Sequence, residues 1–581
     1  MKLRLFSAVI SIFLATTAGA FVLDFNASNQ ARQWSLVTPP VSVPTNSVNR
    51  TTKAIRYFIA SDGYSTTNTA AELNAVRASF AQWQSIPGIL LKFEEGGLVA
   101  PGIDVKVDDG TNVVFWTKTT TVVNGGTSDI SGALGVTFSS FQSDNTMIEA
   151  DIVLNGNLYS WATDFTNTAS LSYFVDGVLL HEIGHFIGLN HSPVGGATML
   201  SRGGAGIGTQ VGLSSDEVAA ARTLYPSNNL AGGFGAVKGQ VTKSGTNVFW
   251  AAVYAESSAG NLVAGTVTRT NGTYELPFLP PGTYQIRVAP LDPNAGARLV
   301  SGPDIKSAFG AADTSFLATN LSTTVSAGVT NTLNAVVVNA APAFRITSIR
   351  SATADSNSYS SSSSPTIISV GQSNLTVGVH GASLPANGSG ATLTITGDGL
   401  TLGPTTFNNV FGGLNTMSVT IKVSSNATPG LRSFLVTQGT NVAYAHGFLE
   451  ILPASLDYNF DGLDDVFQRT YFPLFTAANA APGADPDGDG FPNSFEFTAG
   501  TVPTNSASVL RVQSTTTTAG GTTVVWQSVV GKRYQVSSRM NFSGANWLDI
   551  GTLVTAAASS AQFLDVTATS GQRFYRVRAL P

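Results

Sequence analysis

His181-Glu182-Ile183-Gly184-His185-Phe186-Ile187-Gly188-Leu189-Asn190-His191 is the stretch that decides how this chain folds around a site. Side chains four apart share one face of a helix, so His181 and His185 can point at one metal ion, with Glu182 beside them. Gly188 tolerates the positive φ that stops a helix and turns the chain back, which brings His191 in as a third ligand. Three neutral nitrogen ligands with an open fourth position suit catalytic rather than structural zinc. A water in that position would have its pKa lowered to about 7, and Glu182 is placed to take its proton.

The composition around the stretch supports this reading. The chain has five histidines in 581 residues, and three of them fall in this window. Phe174, Val175, Val178, Leu179, Leu180, Ile183, Phe186 and Ile187 make the segment apolar nearly all round, the pattern of a buried helix. Burying three histidines there without a metal or polar partners would be costly.

On these residues the chain resembles the metzincin clan of zinc endopeptidases and, within it, the matrixins, in the form of a secreted multidomain bacterial protein. The resemblance implies a methionine-bearing turn, for which Met199 in Ala197-Thr198-Met199-Leu200 is the candidate, with Gly188 as the other supporting residue. Ser192 after His191 fits matrixins, and Ser201 stands where other branches offer a tyrosine. Leu213 to Pro226 resembles the last matrixin helix, and its Ser-x-x-Glu spacing fits a capping box. By the same resemblance, Gly132 to Phe138 is the edge strand above the cleft. There Ala133, Leu134 and Gly135 would touch an extended peptide that adds itself as a strand.

The chain also departs from the family. Residues 21–228 hold no further histidine, so the structural zinc site of vertebrate-type matrixins cannot take its usual form. A long prodomain with a latency cysteine is missing, and Asp24 is the one carboxylate ahead of Ile55. It either reaches over the metal or is solvated near a loosely held terminus. After Met199 the sequence reads Leu-Ser-Arg-Gly-Gly, so the family's specificity pocket does not carry over.

A length of 581 residues suggests about four domains at about 150 residues each. Only 11% of residues are charged, against about a quarter in an average chain, which reads as β-rich and exported. The net charge of −5 and the lack of any Lys/Arg cluster argue against nucleic acid or an anionic membrane as partner. Residues 1–20 have the basic start, apolar run and Ala18-Gly19-Ala20 end of a signal peptide. No later segment is long and apolar enough to span a bilayer.

The fold expected is therefore multidomain. A short segment, 21–53, leads into an α+β metzincin catalytic domain, 54–228, with a twisted mixed sheet and the zinc-binding helix. Its strands are read at Ile55–Ile59, Leu90–Phe93, Val113–Trp116, Gly132–Phe138 and Ala150–Leu154, with a helix from Ala70 to Trp83. Residues 21–228 are expected to suffice for activity. Two all-β units follow. Residues 235–340 resemble carboxypeptidase-regulatory-like, transthyretin-type sandwiches through Pro280-Pro281-Gly282-Thr283-Tyr284-Gln285-Ile286-Arg287-Val288. Residues 344–453 resemble an IPT/TIG immunoglobulin-like sandwich, in which Ser360 to Ser364 reads as a disordered loop and His380 and His446 are too isolated to be ligands. Residues 506–581 alternate as a C-terminal β-sandwich.

Between them, residues 455–505 carry two acidic loops. Asp485, Asp487, Asp489, Phe491, Asn493 and Glu496 occupy positions 1, 3, 5, 7, 9 and 12 of a calcium loop, with Gly490 at the sharp turn. Asp457, Asn459, Asp461, Leu463 and Asp465 begin the same pattern, but Gln468 replaces the bidentate glutamate. The pair resembles dockerin or thrombospondin type 3 repeats and implies structural Ca2+ beside catalytic Zn2+.

The expected function is a secreted, extracellular zinc endopeptidase acting on proteins or peptides, with the β-sandwiches available to hold cell-surface or extracellular matrix material. The alternative is an adhesion protein whose metal domain is idle. Glu182 separates the two, because an idle domain could keep its ligands and lose the base.

Overall fold

Ile55–Ala60 (β1) begins the first domain, and its alternation of buried and half-buried residues puts Ile55, Tyr57 and Ile59 into the core. The computed structural model describes residues 22–25, 30–165, 171–201, 210–227, 231–291, 312–353, 361–362, 365–381, 383–411, 414–541, 546–568 and 571–580. The signal-peptide reading of 1–20 lies outside these residues, as does most of the Leu-Ser-Arg-Gly-Gly loop.

The elements that follow are α1 (Thr69–Gln84), β2 (Phe93–Val99), β3 (Val113–Thr117), the short β4 (Val122–Val123) and β5 (Ser128–Asp129), β6 (Gly135–Phe141), β7 (Met147–Asn155), the short β8 (Trp161–Ala162) and β9 (Tyr173–Phe174), α2 (Val175–Phe186) and α3 (Ser215–Leu224). The main sheet has the order β2-β1-β3-β7-β6, parallel except for the antiparallel β6 at its edge. Two strand expectations shift. The second strand starts at Phe93 rather than Leu90, where the Leu90 N–H instead bonds to the Tyr225 carbonyl at 2.8 Å. The edge strand starts at Gly135 rather than Gly132, because Asn155 pins the preceding turn through the carbonyls of Ile130 and Ala133, both at 3.1 Å.

Leu73, Val76, Phe80 and Trp83 form the buried stripe of α1. Phe80 stacks on Tyr57 and meets both Phe93 and Phe186 edge-on, and Trp83 donates to the Leu180 carbonyl at 3.0 Å. Helix α2 is thereby fixed against α1 through rings whose polar edge finds a backbone partner. At the start of α3, the Ser214–Glu217 capping box is formed.

The chain divides into two compact units, Met1–Ala454 and Ser455–Pro581. Within the first, the strands of residues 235–337 and 348–452 meet edge to edge at one residue pair. Leu262 pairs with Leu431, so strands from both stretches join one eight-stranded sheet. Ser361–Ser362, expected in a disordered loop, pairs as a short strand with Ile349 and Arg350. The core of this double unit also takes in Val22, Val194, Ala197 and Leu200, alongside Trp250, Tyr254, Leu262, Leu431 and Phe448. Val22, Val194, Ala197 and Leu200 are therefore buried against the strands that follow the first domain.

The second unit holds two acidic loops with short helices, then two three-stranded sheets around Trp526 and Tyr534. Among the described residues, no helix is long and apolar enough to cross a membrane.

Candidate metal centre

Helix α2 stops where the sequence requires it. Gly188 has φ +102°, Leu189 donates to the Gly184 carbonyl at 2.9 Å, and Gly188 donates to that of His185 at 3.0 Å, which together make a Schellman turn. A Cβ at Gly188 would stand 2.2 Å from the Arg32 carbonyl, so close approach as well as φ demands glycine. The last carbonyls of the helix are buried but satisfied. Trp34 Nε1 donates to Phe186 at 2.8 Å and the Tyr225 hydroxyl to Ile187 at 2.6 Å. The weakly patterned N-terminal segment is thus a strap across this turn. Leu23 bridges to Leu189, and Asn190 donates to the Val22 carbonyl. Asp24 is held by Arg32 at 2.7 Å, and its negative charge acts on His185.

The turn carries His191 back to the helix. One ring nitrogen from each of His181, His185 and His191 lies within 4.8 Å of the others, close enough to hold one metal ion. His181 Nδ1 meets the Thr198 carbonyl and His185 Nδ1 the Leu189 carbonyl, both at 2.8 Å. A carbonyl only accepts, so each Nδ1 carries the proton and each Nε2 keeps its lone pair for the centre. Burial, and for His181 and His191 the neighbouring imidazoles, hold the three rings below the usual histidine range, His181 down to about 3. The rings are neutral at pH 7, the form that binds a metal.

Glu182 is 4% exposed and its Oε2 accepts from the Thr137 hydroxyl at 2.7 Å. Burial pushes its carboxyl up to about 7, while the Thr137 bond pulls it down. Gly135 leaves room for this carboxyl, since a Cβ there would stand 2.9 Å from Oε1. Of the three residues read as substrate contacts, Gly135 opens the edge strand against Glu182, while Ala133 and Leu134 lie in the turn before it. Met199 packs under the helix against Gly184, and its N–H donates to Glu217 at 2.9 Å.

Thr137 and Thr198 escape sequence reading because they act from 45 and 17 residues away. Gln210 escapes it too, although its side chain donates to the carbonyls of Ala197, Thr198 and Leu200 at 3.2–3.3 Å.

The two acidic loops differ. In the second, Asp485, Asp487 and Asp489 bring their carboxylates together, and Asn493 donates its amide to Asn479 and Ala481. Asp487 Oδ2, Asp489 Oδ2, Asn493 Oδ1 and Glu496 Oε2 are buried without a partner, and Glu496 is 1% exposed. In the first, the Gln468 amide donates to Asp461 Oδ2 at 2.8 Å and to the Ala480 carbonyl at 2.9 Å, and Asn459 also donates to Asp461. Asp457 accepts from the N–H groups of Asp461 and Gly462, while Asp465 Oδ2 accepts from that of Tyr458. Leu463, buried at the seventh position, donates its N–H to Asp461.

A helix with two histidines, a glycine turn that returns a third, and a methionine packed beneath make a cluster of three imidazoles able to hold one metal ion. Residues 49–226 match the family model described as matrixin, and this part of the chain is a matrixin-like metzincin domain. Residues 236–297 match the carboxypeptidase regulatory-like domain. No curated protein matches the chain. Among solved structures, the chain aligns at 11% identity with Dpr2 Ig1-Ig2 in complex with DIP-Theta Ig1-Ig3 (TM-score 0.12, 37% of this chain and 61% of that one). It aligns at the same identity with the ICAM-5 D1-D4 ectodomain fragment (TM-score 0.13, 59% and 72%). A third is fervidolysin from Fervidobacterium pennivorans, a keratinolytic enzyme related to subtilisin (11%, TM-score 0.14, 58% and 54%). TM-scores this low carry no argument about fold, and the chain spans less than two thirds of the first of these. The matrixin match supports a zinc metallopeptidase domain in general.

Proposed function

We propose that the chain is a secreted endopeptidase that binds one zinc through His181, His185 and His191 and uses Glu182 as general base. The observation that carries this reading is the convergence of three neutral imidazoles, two with their lone pairs fixed by carbonyl partners, beside a buried carboxyl. That donor set fits zinc, which takes imidazole nitrogen readily and is catalytic when three protein ligands leave one position open.

When bound, zinc supplies a Lewis acid that polarises the scissile carbonyl and makes water acidic near pH 7. The chain's own residues do the rest. The open edge of β6 aligns an extended peptide by main-chain hydrogen bonds. Glu182 takes the proton of the attacking water and then passes it to the leaving amine, and its burial raises the carboxyl's affinity for that proton. Thr137 keeps Oε2 oriented during the exchange.

The second acidic loop is proposed as a structural Ca2+ site through Asp485, Asp487, Asp489, the Phe491 carbonyl, Asn493 and Glu496. Its partnerless oxygens would leave several acceptors buried without a cation. The first loop is proposed to stand without calcium, its glutamate position filled by an amide donor. The idle-adhesion reading has no observation in its favour. Incubating the zinc-loaded chain with an unfolded protein and mapping the fragments tests the endopeptidase reading, which expects internal cuts. Trimming confined to chain ends would reject it.

A further inference from the structure

We propose that the downstream β unit is a positioning part of the metal centre, seating the loop of residues 192–200 and through it His181 and His191. The inference rests on the zinc peptidase reading above, and goes beyond it by giving the β unit a share in the site.

The loop touches the ligands at two places. The Thr198 carbonyl is the partner of His181 Nδ1, so a shift of the loop is a shift of the ring. Ser192 follows His191 directly, and its hydroxyl donates to Asp216 at 2.7 Å. Asp216 in turn accepts the Gly265 N–H of the β unit on its other oxygen, also at 2.7 Å. A buried carboxylate with two such donors ties the third ligand's neighbour to a strand of the next domain.

The loop's far side is a knob in a socket. Val194 lies between Gly265 and Gly447, where added Cβ atoms would stand 2.5 and 2.9 Å from its methyls. Gly195 and Gly196 lie flat on Phe448 and Leu431, each leaving only 2.3 Å for a Cβ. Gly195 donates to the His446 carbonyl at 2.9 Å, and the Tyr254 hydroxyl to that of Pro193 at 3.2 Å. Tyr254 stacks on His446 with centroids 3.9 Å apart, so both bonds come from one rigid pair. Gly265 and Gly447 belong to the two stretches that pair at Leu262 and Leu431, so that pairing builds the socket. Close packing transmits displacement rather than absorbing it.

The test uses the full chain. Gly265→Ala crowds Val194 at 2.5 Å and the Tyr254 ring at 3.1 Å without removing the N–H, and Val194→Ala on top of it relieves the closer contact. Tyr254→Phe removes one hydrogen bond and adds no bulk. Zinc release to a chelator is read first, then the visible spectrum of the cobalt-substituted protein, then kcat and KM. In Gly265→Ala, zinc release is expected to quicken by about tenfold or more, the size typical of disturbed outer partners. The cobalt spectrum should shift, and kcat should fall with KM held. The double variant should return all three toward wild type, and Tyr254→Phe should move release in the same direction by less. Folded Gly265→Ala and Tyr254→Phe that release zinc at the wild-type rate would overturn the proposal. If Gly265→Ala does not fold, Tyr254→Phe decides alone. Wild type that binds zinc and cleaves nothing would sink the peptidase reading while leaving the zinc-release comparison intact. Wild type that binds no zinc would overturn both.

Discussion

Gly184 and Met199 are in contact through the floor of the helix: a methyl group on Gly184 would stand 2.1 Å from the Met199 sulfur. Alanine at a helix interior normally gains about 0.5–1 kcal/mol over glycine. Overpacking costs about 1–3 kcal/mol, so the clash outweighs the propensity. Gly184→Ala is expected to lower the melting temperature. A variant that melts higher would show that Met199 moves aside freely.

Glu149 and Asp151 share one face of β7 and are both buried, pushed by that burial up to about 8 and about 7. Glu149 accepts from the Gly110 N–H and Asp151 from that of Val113. Because the folded pKa lies above the unfolded one, the folded state holds the proton more tightly. The stability this contributes is full below about pH 4 and is lost as pH rises through 8. Glu149→Gln mimics the protonated form, so in buffer without divalent cations it should melt above wild type at pH 8 and level with it near pH 4. Parallel melting curves across that range would contradict the assignment.

Calcium titration of the full chain should find one site. Asp487→Asn should weaken it by removing a ligand charge, and Gln468→Glu should create a second by supplying the bidentate carboxylate the first loop lacks. Two sites in wild type, measured by calorimetry at micromolar to millimolar calcium, would show that the Gln468 amide gives way.

What the sequence shows of this site is what short-range geometry determines. The i, i+4 histidines, the glycine turn and the capping box at Ser214 depend on residues within a few positions, and all have the expected local form. The Thr137 bond to Glu182 joins residues 45 apart, and the Gly265 bond to Asp216 joins residues 49 apart. No periodicity encodes such pairs. Only the fold shows that Gly195 and Gly196 lie flat because Phe448 and Leu431 pack on them. In the same way, alternation shows that residues 235–452 are strands but not that Leu262 and Leu431 join them in one sheet.

The central claim is that Glu182 moves the proton at a centre whose metal the three histidines hold without it. Glu182→Gln keeps the shape and can still accept from Thr137, but it cannot take a proton. The most direct measurement is cleavage of a broad peptide library by wild type and Glu182→Gln side by side, with the zinc content of both determined on the same samples. Equal zinc and a loss of turnover of at least about 10²-fold, the usual scale of general-base removal, are expected. Equal zinc with equal turnover would contradict that claim.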